Sequence, residues 1–170
     1  MEFEEVIFNR RSKRRFIDKE VEDEKIKKLL DAAMAAPSAH NKQPWHFVVI
    51  KDNETMDKIM DFHKYSKMLE DAPLAIAVCG DKNAYKDFWV QDCSAATQNL
   101  LLMAEDLELG AVWLGVYPVE QYYTKLADLL ELPDNIVPLN VVAVGYSERA
   151  SKKRDRYDKE KVHYEKFGNN

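Results

Sequence analysis

Three short stretches of this 170-residue chain combine residue types whose spacing could do chemistry. The first, Asn9 to Phe16, sets Arg10, Arg11, Lys13, Arg14 and Arg15 around Ser12 with no acid among them. Guanidinium groups present planar forks of donors that match phosphate oxygens, and a serine hydroxyl adds another donor. The run therefore suits a phosphate-sized anion, although basic runs are common and also describe a solvated face. The second stretch, Ala36 to Trp45, is stiffened by Pro37 and Pro44 and offers Ser38, His40, Asn41 and Gln43. Those groups could read the donor and acceptor edge of a heterocycle. An ordinary helix-to-strand turn is the plain alternative. The third, Gly110 to Pro118, is an apolar run holding Leu114 and Gly115 and ending in Tyr117 and Pro118. A glycine at a strand end lets backbone approach a flat ligand and leaves its amide as a fixed donor, though a sheet edge followed by a turn would read the same way.

Other chemistries lack their signatures. There is no G-x-G-x-x-G, no G-x-x-x-x-G-K, no G-x-S-x-G and no H-E-x-x-H. His40 has only His46 near it in sequence, too few ligands for a metal, and the set of Cys and His residues builds neither an iron–sulfur nor a zinc site. Cys79 and Cys93 read as buried free thiols. His63 and His163 read as surface residues, and Phe62, Phe88 and Trp89 as core or interface aromatics.

Charge narrows the partners. The net charge is −5, yet Asn9 to Arg15 carries +5, and Arg149 to Lys166 carries +4 from eight Lys or Arg against four acids. Phe16 to Glu148 carries −11. An acidic body with two basic ends would repel a long polyanion over most of its surface, which argues against nucleic acid and favours a small phosphate held where the ends meet. With 46% hydrophobic residues, five Gly and six Pro, the chain has the composition of one compact domain, residues 1–170, rather than of a disordered or collagen-like polymer. No apolar stretch approaches the length that spans a bilayer, and the first residues lack the pattern of a secretory signal, so the expectation is a cytoplasmic protein without a membrane anchor.

The elements that must position these stretches follow from periodicity. Helices are expected over 3–10, 22–36, 54–64, 92–109 and 119–130, the fourth apolar on most of its circumference and so buried. Gly110 should end that helix. Strands are expected over 45–50, 73–80, 111–116 and 139–146, with Pro133 and Pro138 bracketing a loop. Residues 147–170 are charged and bear tyrosines. They should cross to a neighbouring subunit and dock through Val162, Tyr164 and Phe167.

Taken in order, the chain resembles the flavin-dependent nitroreductases over almost its whole length. The pattern R-R-S-x-R-x-F is matched by Arg10, Arg11, Ser12, Arg14 and Phe16. A-P-S-x-x-N-x-Q-P-W is matched by Ala36, Pro37, Ser38, Asn41, Gln43, Pro44 and Trp45. The G-A-x-W-L-G-V-Y-P strand, a strand ending in Gly145-Tyr146 and a basic tail at Lys152 to Arg156 follow in order. The resemblance implies an α+β fold, a mixed central sheet sandwiched by helices, and an obligate homodimer with exchanged C-terminal tails and FMN at the subunit seam. It implies that Arg10, Arg11, Ser12 and Arg14 hold the phosphate, ribityl chain and pyrimidine side of FMN. Pro37, Ser38, Ala39, Asn41 and Gln43 would line the ring from the other subunit. Leu114 and Gly115 would sit near N5, and Lys152 with Arg154 would close over the phosphate. The implied activity takes a hydride from NAD(P)H onto flavin N5 and passes electrons to a nitroaromatic, quinone or similar small acceptor in a ping-pong cycle, without a side-chain acid or base. Its competitors are a non-catalytic flavin carrier, a specialised flavin reaction such as reductive dehalogenation, and an anion-binding or nucleic-acid module that uses the two basic ends. The stretch Phe62 to Asp71 is too short for a long substrate lid.

Overall fold

The computed structural model describes residues 1–148 and 155–169. In chain order the elements are α1 (Phe3–Asn9), α2 (Asp23–Met34), β1 (Trp45–Ile50), α3 (Asn53–Phe62), β2 (Leu74–Asp81), α4 (Trp89–Asp106), β3 (Gly110–Gly115), α5 (Glu120–Leu129) and β4 (Ile136–Gly145). The strands form one sheet in the order β1-β2-β4-β3, every pair antiparallel. The α+β class holds. The expected mixed sheet has, among the described residues, a single parallel bridge, from Ser12 to Ala111 on the outer edge of β3.

The two inner strands explain the layering. A strand turns alternate side chains to opposite faces, so β2 and β4, apolar at nearly every position, can only be satisfied between two layers of helix. On one face Leu74, Ile76, Val78, Val142 and Val144 pack with Leu29 and Ala33 of α2 and with Ala96, Leu100 and Ala104 of α4. On the other, Ala75, Ala77, Cys79, Val141 and Ala143 meet Met56 and Ile59 of α3 and Leu126 of α5. Both cysteines are buried and free. Burial pushes each thiol up to about 12.

Three sequence expectations need correction. Pro138 lies inside β4 rather than in a loop. It faces Cys79, where the β2–β4 register shifts between Val78 and Cys79, and a residue without an N–H is tolerated at such an irregularity. Glu108, in the left-handed region at φ 60°, makes the turn after α4, and Gly110 is instead the first residue of β3. A Cβ on Gly110 would lie 2.9 Å from that of Lys13 and 3.0 Å from that of Ser147, so its bare backbone lets the basic segment pass close by. His63 is buried, at 3% exposure, where polar neighbours suggested a surface residue.

Candidate functional site

The basic stretch leaves α1 and runs along the outer edge of β3, where Ser12 bridges Ala111 and the Lys13 N–H donates to the Ala111 carbonyl at 3.0 Å. Arg10 and Arg11 share a cleft of about 730 Å³ with Asp155, Arg156 and Tyr157 of the tail. The two basic ends therefore meet. Burial, then the charges of Arg11 and Arg156, hold the Arg10 guanidinium below its ordinary value, and Glu105 opposes them. Cations gathered at the cost of mutual repulsion form a receptor for an anion. Ser12 and Arg14, further along the same segment, are exposed. Of the tail's basic residues, Arg156 lines the cleft; Lys152 and Arg154 lie outside the described residues.

The second stretch is a rigid loop. Its Gln43 N–H donates to Ser38 Oγ at 2.9 Å, and the Ala39 N–H donates to Asp92 Oδ1 at 3.0 Å. His40, Asn41 and Gln43 all take positive φ, at 50°, 54° and 47°. Each such residue costs free energy unless its surroundings impose the conformation. Asp92, 5% exposed in the first turn of α4, supplies much of that constraint, and its Oδ2 has no hydrogen-bond partner among the described residues. Nothing in the local pattern marked Asp92; a buried acid in an apolar helix was the available signal.

The third stretch is β3. Its Val116 N–H donates to the Leu139 carbonyl at 3.1 Å, while Ala111 accepts from Lys13 on the opposite side. Peptide groups alternate along a strand, so Ala111, Trp113 and Gly115 turn theirs to the outer edge. Gly115 is exposed, with nothing within 4 Å of where a Cβ would stand. Leu114 differs: its side chain is buried in the core on the α3–α5 face, and its peptide groups turn towards β4, leaving Gly115 as the residue that offers an amide outward.

Within one chain these parts do not all converge. The basic segment lies by the C-terminal half of α4, near Glu105, and the Ser38 loop is tied to its N-terminal turn at Asp92. Thirteen residues of helix, at about 1.5 Å each, separate them by roughly 20 Å. Between them α1, α2 and α4 present an apolar surface. Phe3 is 72% exposed and Ile7, Phe8 and Met34 are exposed beside it, and a groove of about 450 Å³ runs between Phe3, Val6, Ala32, Leu102 and Met103.

The fold is a helix-flanked antiparallel α+β sheet, with an arginine-bearing cleft towards one end of the edge strand and an open glycine at the other. Comparison with known proteins agrees. The nitroreductase family model matches residues 7–64 and 61–146, and the chain belongs to that family of oxidoreductases. It is 46% identical over 169 residues to a protein of Methanothermobacter thermautotrophicus named "Putative NADH dehydrogenase/NAD(P)H nitroreductase", covering 98% of this chain and 88% of the relative. A crystal structure of a protein of that name from Parabacteroides distasonis superposes with a TM-score of 0.95 at 41% identity, over 98% of this chain and 99% of the other. An FMN-dependent nitroreductase from Clostridium difficile superposes with a TM-score of 0.89 at 31% identity, over 95% and 98%.

Proposed function

We propose that this chain is an FMN-dependent oxidoreductase that uses NAD(P)H to reduce nitroaromatics, quinones or similar electron-poor acceptors. The observation that carries the reading is the gathering of Arg10, Arg11 and Arg156 from the two ends of the chain in one cleft, where burial and the charges of Arg11 and Arg156 hold the Arg10 guanidinium below its ordinary value. The residues present fit the cofactor: fixed cations for a phosphate, a rigid polar loop for a ring edge, and an open glycine amide. Bound flavin supplies hydride acceptance from NAD(P)H and electron transfer onward.

The chain's residues bind, orient and shield. Arg10, Arg11, Ser12 and Arg14 hold the phosphate and ribityl chain, with Arg156 and the Lys152 and Arg154 segment closing from the tail. Cations near the pyrimidine side favour negative charge that develops there. Gly115 presents its N–H to the ring near N5, and Leu114 supports it from the core. Pro37, Ser38, Ala39, Asn41 and Gln43 line the ring. The roughly 20 Å between this loop and the basic segment along one α4 supports a homodimer. A second copy packed across the apolar face of α4 in the opposite sense sets its loop beside the first copy's arginines. The tail's Tyr164 and Phe167, the latter 93% exposed, are suited to docking on that copy.

The reductant and acceptor use the same stacking position in turn, a ping-pong cycle. Anaerobic NADH or NADPH should bleach the visible flavin absorption of the purified protein, and an added quinone should restore it. A yellow protein that neither nucleotide bleaches would favour a flavin carrier. Parallel initial-velocity lines support the cycle; intersecting lines exclude it.

A further inference from the structure

We infer that His63 is a positioning residue that sets the orientation of Gly115, and so of the amide donor offered to the cofactor ring. The inference rests on the proposal that Gly115 lies at flavin N5. His63 follows the last residue of α3, and its Nε2 lies 2.8 Å from the Gly115 carbonyl oxygen, 52 residues away in sequence. A carbonyl can only accept, so Nε2 carries the proton. The other ring nitrogen, Nδ1, faces the Tyr65 N–H at 3.3 Å and accepts from it. Both nitrogens are thus used by one neutral tautomer, and that tautomer is imposed by backbone on each side.

The ring is held as firmly as its protons. It stacks on Tyr122 of α5 with centroids 4.4 Å apart and planes inclined by 30°, and Ser66 Oγ donates to the His63 carbonyl at 2.7 Å. Buried imidazole costs desolvation that an apolar side chain would not, so its place in this core calls for a role that apolar packing does not provide. Gly115 supplies that role. The Gly115 carbonyl and N–H turn away from β4, and each peptide is tied to the ladder at its other end, the first through the Val116 N–H on the Leu139 carbonyl and the second through the Leu114 carbonyl; what glycine's wide φ and ψ leave open is the tilt of those planes about the strand. Without an outer partner the Gly115 carbonyl could tilt about the Val116–Leu139 hydrogen bond and shift the Gly115 Cα from which the N–H projects. The His63 bond removes that freedom at the residue where donor direction matters, the arrangement expected of a supporting shell around a preorganised donor.

The test uses holoenzyme labelled with 15N in both protein and FMN, and reads the scalar coupling transmitted across a hydrogen bond between the Gly115 amide nitrogen and flavin N5. His63→Phe keeps a stacked ring without a donor, and His63→Gln restores a donor. We expect the coupling in wild type and His63→Gln, and at least a twofold loss in His63→Phe, with the rate of anaerobic flavin bleaching falling about tenfold, equivalent to about 1.4 kcal/mol. A coupling present in wild type and unchanged in His63→Phe overturns the role of His63 and leaves the site standing. No coupling in wild type overturns the Gly115 placement itself. Loss in both variants shows that ring shape, not the hydrogen bond, is what Gly115 senses, and refutes the inference. Should His63→Phe not fold, wild-type apoprotein decides: the His63 ring N–H must exchange slowly with water, and fast exchange refutes the bond.

Discussion

Replacing Arg10 by methionine separates binding from stability, because the two should move in opposite directions. Arg10 stands in a cleft with Arg11 and Arg156, and these charges, after burial, push its guanidinium below its ordinary value. Removing it relieves repulsion in the empty protein. For partly exposed charges that relief is worth a few tenths of a kcal/mol to about 1 kcal/mol, and less at high salt. The same substitution removes a charge-assisted hydrogen bond to phosphate, worth about 1.5–3 kcal/mol. Taking about 2 kcal/mol, FMN affinity should fall roughly 30-fold. Fluorescence titration of apoprotein with FMN measures the first effect, since bound flavin is quenched, and urea unfolding of apoprotein measures the second. Riboflavin, which lacks the phosphate, is the internal control: its weaker affinity should fall much less than that of FMN. Unchanged FMN affinity, or an equal loss for riboflavin, would refute the assignment of this cleft to phosphate.

Four further outcomes follow from the packing. Gly80→Ala would place its Cβ 2.2 Å from the ring of buried Trp89, so it should destabilise the fold by about 1–3 kcal/mol or more in denaturant unfolding. Asp92→Ala frees the Ala39 amide and should cost about 1–3 kcal/mol while loosening FMN, whereas Asp92→Asn, which keeps an acceptor, should lose less on both measures. Cys79 and Cys93 have thiols raised from 9.0 to about 12 by burial, so neither should react with an alkylating agent near pH 8 until the protein unfolds. The unfolded chain releases those protons first. Stability should therefore fall as pH climbs from about 9 towards 12, which chemical denaturation across that range would record.

Much of the fold was legible because it rests on short-range regularities. The uninterrupted apolar runs of β2 and β4 announce strands covered on both faces, and the periodic faces of α2 and α4 announce the helices that cover them. The Ser38 loop was legible from two prolines and a cluster of polar side chains, and the basic run from its charge alone. What stayed hidden depends on contacts between distant residues. His63 sits among polar neighbours and is buried because its partner is a backbone carbonyl on β3, which carries no mark in the sequence. Pro138 reads as a strand breaker until the register shift opposite Cys79 is known. Arg156 could not be told from its basic neighbours, since only the chain's path brings it to Arg10. Asp92 anchors the loop through a main-chain amide, a partner that any residue would offer.

On the proposed function, the chain's two basic ends gather around one mononucleotide whose ring lies against a second copy. A crystal structure of the purified protein with FMN tests it most directly. The phosphate should lie within hydrogen-bonding distance of Arg10, with Arg156 closing beside it, and the ring between Gly115 and the partner subunit's Ser38. A phosphate far from Arg10, or a ring enclosed by one chain alone, would contradict it.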